Sequence, residues 1–177
     1  FGKQSRNIHL ISTVAQRMSD SEQQLGHYRS AYEKCSEFIT YMNNNGYSDI
    51  VNSDWSYAGL HVTIGNTLYM WGNSDEAYES AQIAYKMYKE SKDIMLGISV
   101  LILNAMVLSA RGEEKESELM ILEAEKLCEN NQLMPYMYKI LQSLKLMFYL
   151  NRNQEEKAKL IVNKLNLSPE DKIDHLN

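Results

Sequence analysis

The sequence predicts an all-α protein, a superhelix of antiparallel helical hairpins, on three observations. Apolar residues recur at helical spacing along nearly the whole chain, with no convincing stretch of strand alternation. The 177 residues include only two prolines and eight glycines, which leaves long windows for helix. The turn formers Gly72, Gly112 and Asn153 lie about forty residues apart. A fixed period of roughly twenty to fifty residues is typical of stacked helical repeats, because one hairpin cannot bury both of its apolar faces alone.

The first hairpin is predicted over residues 6–42. Its first helix is expected to end near Met18, at the sequence SDSEQ, where Ser19 or Ser21 can cap the second helix. The segment NNNGYSDIVNSD then follows, and its many turn formers predict a loop.

Three further hairpins are predicted over residues 54–91, 93–130 and 133–166. Short breaks separate their helices, and Asp54 or Ser53 is suited to cap the first of them. Proline falls at position 135, in the first turn of the helix predicted to start at about Leu133, where a missing N–H is tolerated.

Both ends of the sequence suggest a fragment of a longer repeat protein. The first residue is Phe rather than Met, and the last residues, NLSPEDKIDHLN, resemble the start of a helix. Ser168 is suited to be the N-cap and Pro169 the first helical residue, so a further helix is predicted to begin at 169.

Composition excludes several classes of function for this segment. The formal charge of -5 argues against direct binding to nucleic acid or to an anionic membrane. The longest apolar run, IMLGISVLIL, is about half as long as a membrane span needs. Cys35 and Cys128 share no metal-binding or redox spacing, so we expect two buried free thiols and a cytoplasmic location.

The sequence contains no motif that would indicate an enzyme. A phosphate-binding loop, a paired-histidine metal motif and a nucleophile elbow are all missing. The four histidines are scattered, and His61 is expected to be a packed structural residue. The acidic run that begins at Glu113 fits the first turns of a helix, where it complements the helix dipole. We therefore expect no catalytic residue, no metal and no cofactor in this segment.

Small residues follow a known repeat pattern. They and their neighbours match the spacing of the tetratricopeptide repeat at Gly65, Leu68, Gly72, Ala77 and Ala84. In the next unit the small residue of the first helix is Ala105 and that of the second helix is Ser117. In the last unit Leu146 takes the first-helix position. Ala124 and Ala158 take similar places in the later units.

Three longer stretches carry a closer resemblance. They are LYMWGNSDEAYESAQIAYKM, LILNAMVLSARGEEKESELMILEAEKL and LKLMFYLNRNQEEKAKLIVNKLNLSPED, which together with their flanks span roughly Trp55 to Asp171. They resemble the sensor domain of large bacterial LuxR-type transcriptional regulators related to the maltose activator MalT. The resemblance implies a parent protein with a nucleotide-binding switch domain and a DNA-binding helix-turn-helix, both outside this segment.

The resemblance also implies a binding groove lined by the first helix of each hairpin. The inward positions implied by this register are Val62, Asn66, Tyr69, Ile102, Met106, Ser109, Ser143, Met147 and Leu150. This set is uncharged, which suits a small-molecule or short-peptide effector, or a protein partner, better than an acidic tail. Self-association is possible, and DNA would be contacted only through a domain absent here. The competing interpretation is that these residues merely pack against neighbouring helices or against a domain absent here.

Two other functions remain open. A peptide-pheromone receptor of bacteria or their phages, also built from tetratricopeptide repeats, would need Asn66 and Asn104 to point into the groove. A generic scaffold or co-chaperone module would carry Lys or Arg on the groove face, and the positions above include neither.

Overall fold

The computed structural model describes residues 2–47, 55–130 and 135–165. Over these ranges the backbone forms eight α-helices and no strand, which confirms the all-α prediction. The helices are α1 (Gly2–Gln24), α2 (Tyr28–Asn44), α3 (Trp55–Met70), α4 (Ser74–Ser91), α5 (Ile94–Ala110), α6 (Glu114–Asn130), α7 (Pro135–Asn151) and α8 (Glu155–Leu165). The helix predicted from residue 169 and the caps predicted at Ser53 or Asp54 lie outside the described residues.

The chain divides into two compact units, residues 1–123 and residues 124–177. The first unit contains α1 to α5 and the first part of α6. In it, each helix from α1 to α4 packs against the next, and α3 also contacts α1 and α5. In the second unit α7 packs against α8.

Five helices in the described ranges end in the same left-handed turn. Its left-handed residues have φ angles of 79°, 68°, 82°, 81° and 54° and are Gly26, Gly46, Gly72, Gly112 and Asn153. In each case the N–H of the following residue reaches back five positions, as from Asn73 to the oxygen of Leu68 at 2.9 Å. This is the Schellman arrangement, which satisfies the last carbonyls of a helix and favours glycine or asparagine at the left-handed position. The turns aligned at Gly72, Gly112 and Asn153 therefore share one backbone geometry.

The predicted break after Met18 is wrong. Helix α1 continues through Ser19 and Ser21 to Gln24. The hydroxyl of Ser19 donates to the oxygen of Ala15 at 2.9 Å, and the hydroxyl of Ser21 donates to the oxygen of Arg17 at 2.9 Å. Serine in mid-helix can satisfy itself in this way, so it does not force a helix to end. The turn comes instead at Gly26.

A small buried residue lies five positions after the turns at Gly26, Gly72, Gly112 and Asn153. These residues are Ala31, Ala77, Ser117 and Ala158, each at most 3% exposed. The other small positions predicted to pack, Ala84, Ala105 and Ala124, are also buried. Because a small side chain brings two helix backbones close together, the spacing fixes where the two helices of a hairpin meet.

The contact between α3 and α4 illustrates this packing. A Cβ atom at Gly65 would lie 3.5 Å from the backbone oxygen of Ala77 and only 2.7 Å from a methyl carbon of Leu103 in α5. Leu103 is fully buried and has little freedom to move away. Three helices therefore meet at one glycine, as expected for a small residue that marks a helix crossing.

Candidate functional site

The predicted groove positions in the first unit are partly closed by packing. Val62 in α3 and both Ile102 and Met106 in α5 are buried. Asn66 and Tyr69 in α3 are half-buried, as is Ser109 in α5. A ligand reaching this face in the present conformation would contact only the half-buried residues at the C-terminal ends of the two helices.

The groove positions predicted in the second unit are open. Ser143, Met147 and Leu150 of α7 are all exposed, and the two apolar side chains among them are 44% and 52% exposed. They lie on one side of α7, since the spacing of three and four residues corresponds to one helix turn.

Asn104 serves the packing of α5 rather than an open surface. Its side-chain amide is buried and donates to the oxygen of Ala81 at 3.1 Å and to the oxygen of Val100 at 2.9 Å. Its side-chain oxygen accepts a hydrogen bond from Gln82 at 2.9 Å. The polar atoms of this side chain are therefore committed to α4 and α5.

An open depression of about 780 Å³ lies beside the turn between α1 and α2. Its lining residues are Gly26, His27, Tyr28, Arg29, Ser30, Glu33 and Trp71. This volume falls in the range of small-molecule sites, roughly 300–1,000 Å³. The sequence did not single out this place, because its walls come from α2 and from the end of α3, which are remote in the chain.

Aromatic side chains form part of the wall of this depression. Trp71 is 45% and Tyr28 is 38% exposed, although both have large apolar surfaces. The ring of Trp71 also lies against Tyr32, with centroids 5.3 Å apart. Tyr32 thus supports the indole on one side at an interplanar angle of 54°, while 45% of Trp71 remains exposed.

The polar side of the depression carries charge. Arg29 is largely exposed, and its Nε lies 3.4 Å from Oε1 of Glu33, one helix turn away. Such an exposed pair is weak, so the guanidinium can exchange this partner for an anion at small cost.

Glu22 fixes the turn that forms the floor of the depression. Its carboxylate accepts a hydrogen bond from Lys34 of α2 and lies 3.1 Å from Nδ1 of His27. These hydrogen bonds, that from Lys34 first and that from His27 second, lower the pKa of Glu22. The side chain of Glu22 thereby joins the end of α1 to the first turns of α2.

His61 lies in a different environment and is neutral at physiological pH. It is buried in α3, and its ring meets the ring of Tyr57 edge-on at a centroid distance of 5.4 Å. Burial lowers its pKa to about 4. The expectation of a packed histidine agrees with this position.

Both cysteines are buried free thiols, as predicted. Burial raises the pKa of Cys35 to about 11 and also raises that of Cys128. A thiol that stays protonated is a poor nucleophile, so these side chains are suited to packing.

Among the described residues, no group of three or more His, Cys, Asp or Glu side chains is arranged to hold a metal ion. None of the helices in the three described ranges is long and apolar enough to cross a membrane. Comparison of the chain with protein-family models, with curated proteins and with solved structures found no match.

The depression carries one signal that sequence reasoning could have used. Trp71 directly follows the last residue of α3 and directly precedes the glycine turn. A large, exposed aromatic residue at such a place is a candidate for contact with a ligand or partner.

Proposed function

We propose that this chain is the signal-sensing and interaction segment of a cytoplasmic LuxR-type transcriptional regulator, folded as tetratricopeptide-like hairpins and without catalytic activity. The observation that carries the proposal is the repeated unit: a left-handed turn followed five residues later by a small buried residue, at Ala31, Ala77, Ser117 and Ala158. Such repeats build binding surfaces, because their stacked hairpins present long faces to solvent.

The helix contacts of the first unit support a stack of hairpins. Helix α3 touches α1 and α5 as well as its sequence neighbours. These contacts favour a layer formed by the first helices of successive hairpins, with α3 in the middle.

We assign the effector site to the depression beside Trp71. A planar ring can stack on the indole, and a carboxylate can pair with Arg29. An aromatic carboxylic acid combines both features, so it is the class of effector that this site favours. The groove on α3 and α5 remains a second location, centred on Tyr69.

Binding alone would not regulate transcription. An effector shifts a conformational equilibrium only if it binds one state more tightly than the other. Affinity at the depression depends on conformation, because its walls belong to the α1–α2 turn and to the end of α3. A change in the angle between the first two hairpins would alter the separation of Arg29 and Trp71.

The two alternatives have less support. A peptide-pheromone receptor would need the amide of Asn104 to be free for a peptide backbone, whereas that amide is bonded to Ala81 and Val100. A co-chaperone module would need basic side chains at the groove positions, and the nine predicted positions include none.

Thermal unfolding with matched variants tests the binding proposal. Tyr69 lies in the last turn of α3 and Trp71 directly follows the helix, so the two variants change different positions. We expect indole-3-acetate or benzoate, at about ten times its Kd, to raise the Tm of the wild type and of Tyr69→Ala by roughly 3–6 °C. The Trp71→Ala variant should lose this shift.

Glucose and a tetra-alanine peptide serve as comparison ligands. A shift lost in Tyr69→Ala but kept in Trp71→Ala would move the site to the groove. If neither indole-3-acetate nor benzoate raises the Tm of the wild type, the assignment of an aromatic carboxylate is wrong.

The regulator proposal is tested separately by the coding sequence on either side of this segment. A nucleotide-binding loop upstream and a helix-turn-helix downstream would support it, and a catalytic domain would contradict it.

A further inference from the structure

Helix α1 turns its polar side toward the protein. Ser12 and Ser19 are fully buried on this side. The hydroxyls of Thr13 and Ser56 lie 2.9 Å apart, and the amide of Gln23 donates to the oxygen of Thr63 and to the hydroxyl of Thr67, each at 3.1 Å. Ile8 is also buried on this side of α1. Side-chain hydrogen bonds therefore connect α1 to α3 along most of the described length of α1.

The opposite side of α1 is apolar and exposed. Four of its side chains are between 47% and 62% exposed and are Leu10, Ile11, Val14 and Met18. Leu25, 70% exposed, directly follows the last residue of α1 and continues the helical pattern, because its N–H donates to the oxygen of Ser21 at 3.1 Å. At 100° per residue these five positions fall within one 100° sector of the helix, which is the width of an ordinary core-facing stripe. A helix normally buries this stripe; α1 buries its polar side and leaves the apolar stripe in water.

The spacing of the stripe is that of a two-helix seam. Ile11, Val14, Met18 and Leu25 follow the a and d positions of a heptad, with Ser21 at the remaining d position. The seam from Ile11 to Leu25 is about 21 Å long, at 1.5 Å per residue. No charged residue occupies an a or d position between these ends.

The charges beside the seam favour one partner and one direction. In this register Arg17 occupies a g position and Glu22 the e position five residues later. When two such helices pair in parallel, each g residue meets the e residue of the other helix that is five positions further on. Arg17 of one copy therefore meets Glu22 of the other, twice by symmetry. An antiparallel pair centred between Val14 and Met18 would instead bring the two copies of Arg17 together.

Glu22 is well placed for this role. Its carboxylate is held at the flank of the seam by Lys34 and His27, and its side chain remains 23% exposed. A carboxylate that is already oriented loses little entropy on pairing with a second cation.

We propose that the outer face of α1 is a homodimer interface, in which two copies of the chain pair their α1 helices in parallel and in register. The seam is shorter than the three to four heptads of an autonomous coiled coil. The dimer is therefore weak and forms at micromolar or higher concentrations. The homodimer proposal does not depend on the chain sensing an effector.

Sedimentation equilibrium across about 1–300 μM protein tests the pairing, since this range brackets a Kd in the micromolar range. We expect the average mass of the wild type to rise from the monomer toward twice that value. In Val14→Glu a carboxylate enters the seam, and the Kd should increase at least tenfold. The matched control is Ile83→Glu, because Ile83 of α4 is similarly exposed at 45%; its Kd should stay unchanged.

Charge reversal supplies a second variant that leaves the apolar seam intact. In Arg17→Glu the new carboxylate faces Glu22 of the other copy, so the Kd should rise, and low salt should increase the effect. Circular dichroism should give the wild-type helix content for each variant. A wild type that stays monomeric over the whole range overturns the proposal, as does a dimer unaffected by Val14→Glu or weakened equally by Ile83→Glu.

Disulfide formation tests the direction of pairing. In parallel register, two copies of Val14→Cys should form a disulfide with each other under mild oxidation, and so should two copies of Met18→Cys. An antiparallel pair would give a cross-link only in a mixture of the two variants, which would overturn the parallel register. The native thiols should not interfere, because Cys35 and Cys128 are buried.

Discussion

The hydroxyl of Ser117 donates a hydrogen bond across 2.7 Å to the backbone oxygen of Ala105. Both residues are fully buried, so α6 lies directly against α5 at this point. In the preceding hairpin Ala77 meets Gly65, and each of these residues lies forty positions before its counterpart. Successive hairpins are therefore closed by equivalent pairs of small residues.

Ser117 should tolerate a small side chain and reject a large one. Ser117→Ala removes one buried hydrogen bond and should lower the free energy of unfolding by about 1 kcal/mol. Ser117→Leu also forces α6 away from α5 and should cost about 1–3 kcal/mol more. Urea denaturation measures both, with exposed Lys115→Ala as a near-neutral control. Equal losses for the Ala and Leu variants would show that the helices are not closely packed here.

The two asparagines of the first unit should differ in their contribution to stability. Asn104→Ala leaves the side chain of Gln82 without its acceptor and opens a small cavity, so it should cost about 2–3 kcal/mol. Asn66 is half-buried, and Asn66→Ala should change the stability by less than about 0.5 kcal/mol. Chemical denaturation of both variants checks this difference. A larger loss for Asn66→Ala would contradict the structural role given to Asn104.

Stability should fall in acid because of His61. An unfolded chain binds a proton on this histidine near pH 6.5, whereas burial lowers the folded pKa to about 4. The unfolded state therefore binds more protons between these values. The contribution of neutral His61 is complete above pH 6.5 and is lost as the pH falls toward 4, by up to about 3 kcal/mol.

The His61→Phe variant isolates this effect, because it keeps an aromatic ring against Tyr57 but cannot take up a proton. The difference in unfolding free energy, variant minus wild type, should be about 2–3 kcal/mol larger at pH 4.5 than at pH 7.5. Urea unfolding at the two pH values gives the comparison, and exposed His9→Gln is the control. Parallel pH profiles for the wild type and His61→Phe would contradict the burial of this ring.

The thiol of Cys35 should be unreactive in the folded protein. Burial raises its pKa to about 11, so almost no thiolate exists at pH 8. Ellman's reagent at pH 8 should label Cys35 only after unfolding, while an introduced Thr40→Cys on the exposed side of α2 should react at once. Rapid labelling of Cys35 in the native state would indicate local opening between α1 and α2.

Much of the fold could be predicted from local patterns in the sequence. Gly72, Gly112 and Asn153 mark turns because the C-terminal cap of each helix needs a residue in the left-handed conformation. Few residue types accept this conformation. The buried alanines could be predicted because they recur at a fixed distance from those turns. These signals act within one hairpin and need no knowledge of remote contacts.

The wrong prediction in the first hairpin has a local cause. Serines that bond to their own helix look like caps in the sequence, so the sequence predicts a break at Ser19, seven residues before the turn at Gly26. The depression beside Trp71 has a different cause: its walls are remote in the sequence and meet only in the folded protein.

The contacts of α3 have a consequence for how the chain folds. Its packing partners are the two helices before it, α1 and α2, and the two after it, α4 and α5, so its contacts involve only neighbouring parts of the chain. Folding is therefore expected to be fast and to start around this helix. Amide hydrogen exchange in the first unit should be slowest in α3, which has four packing partners, and faster in α1, which has two.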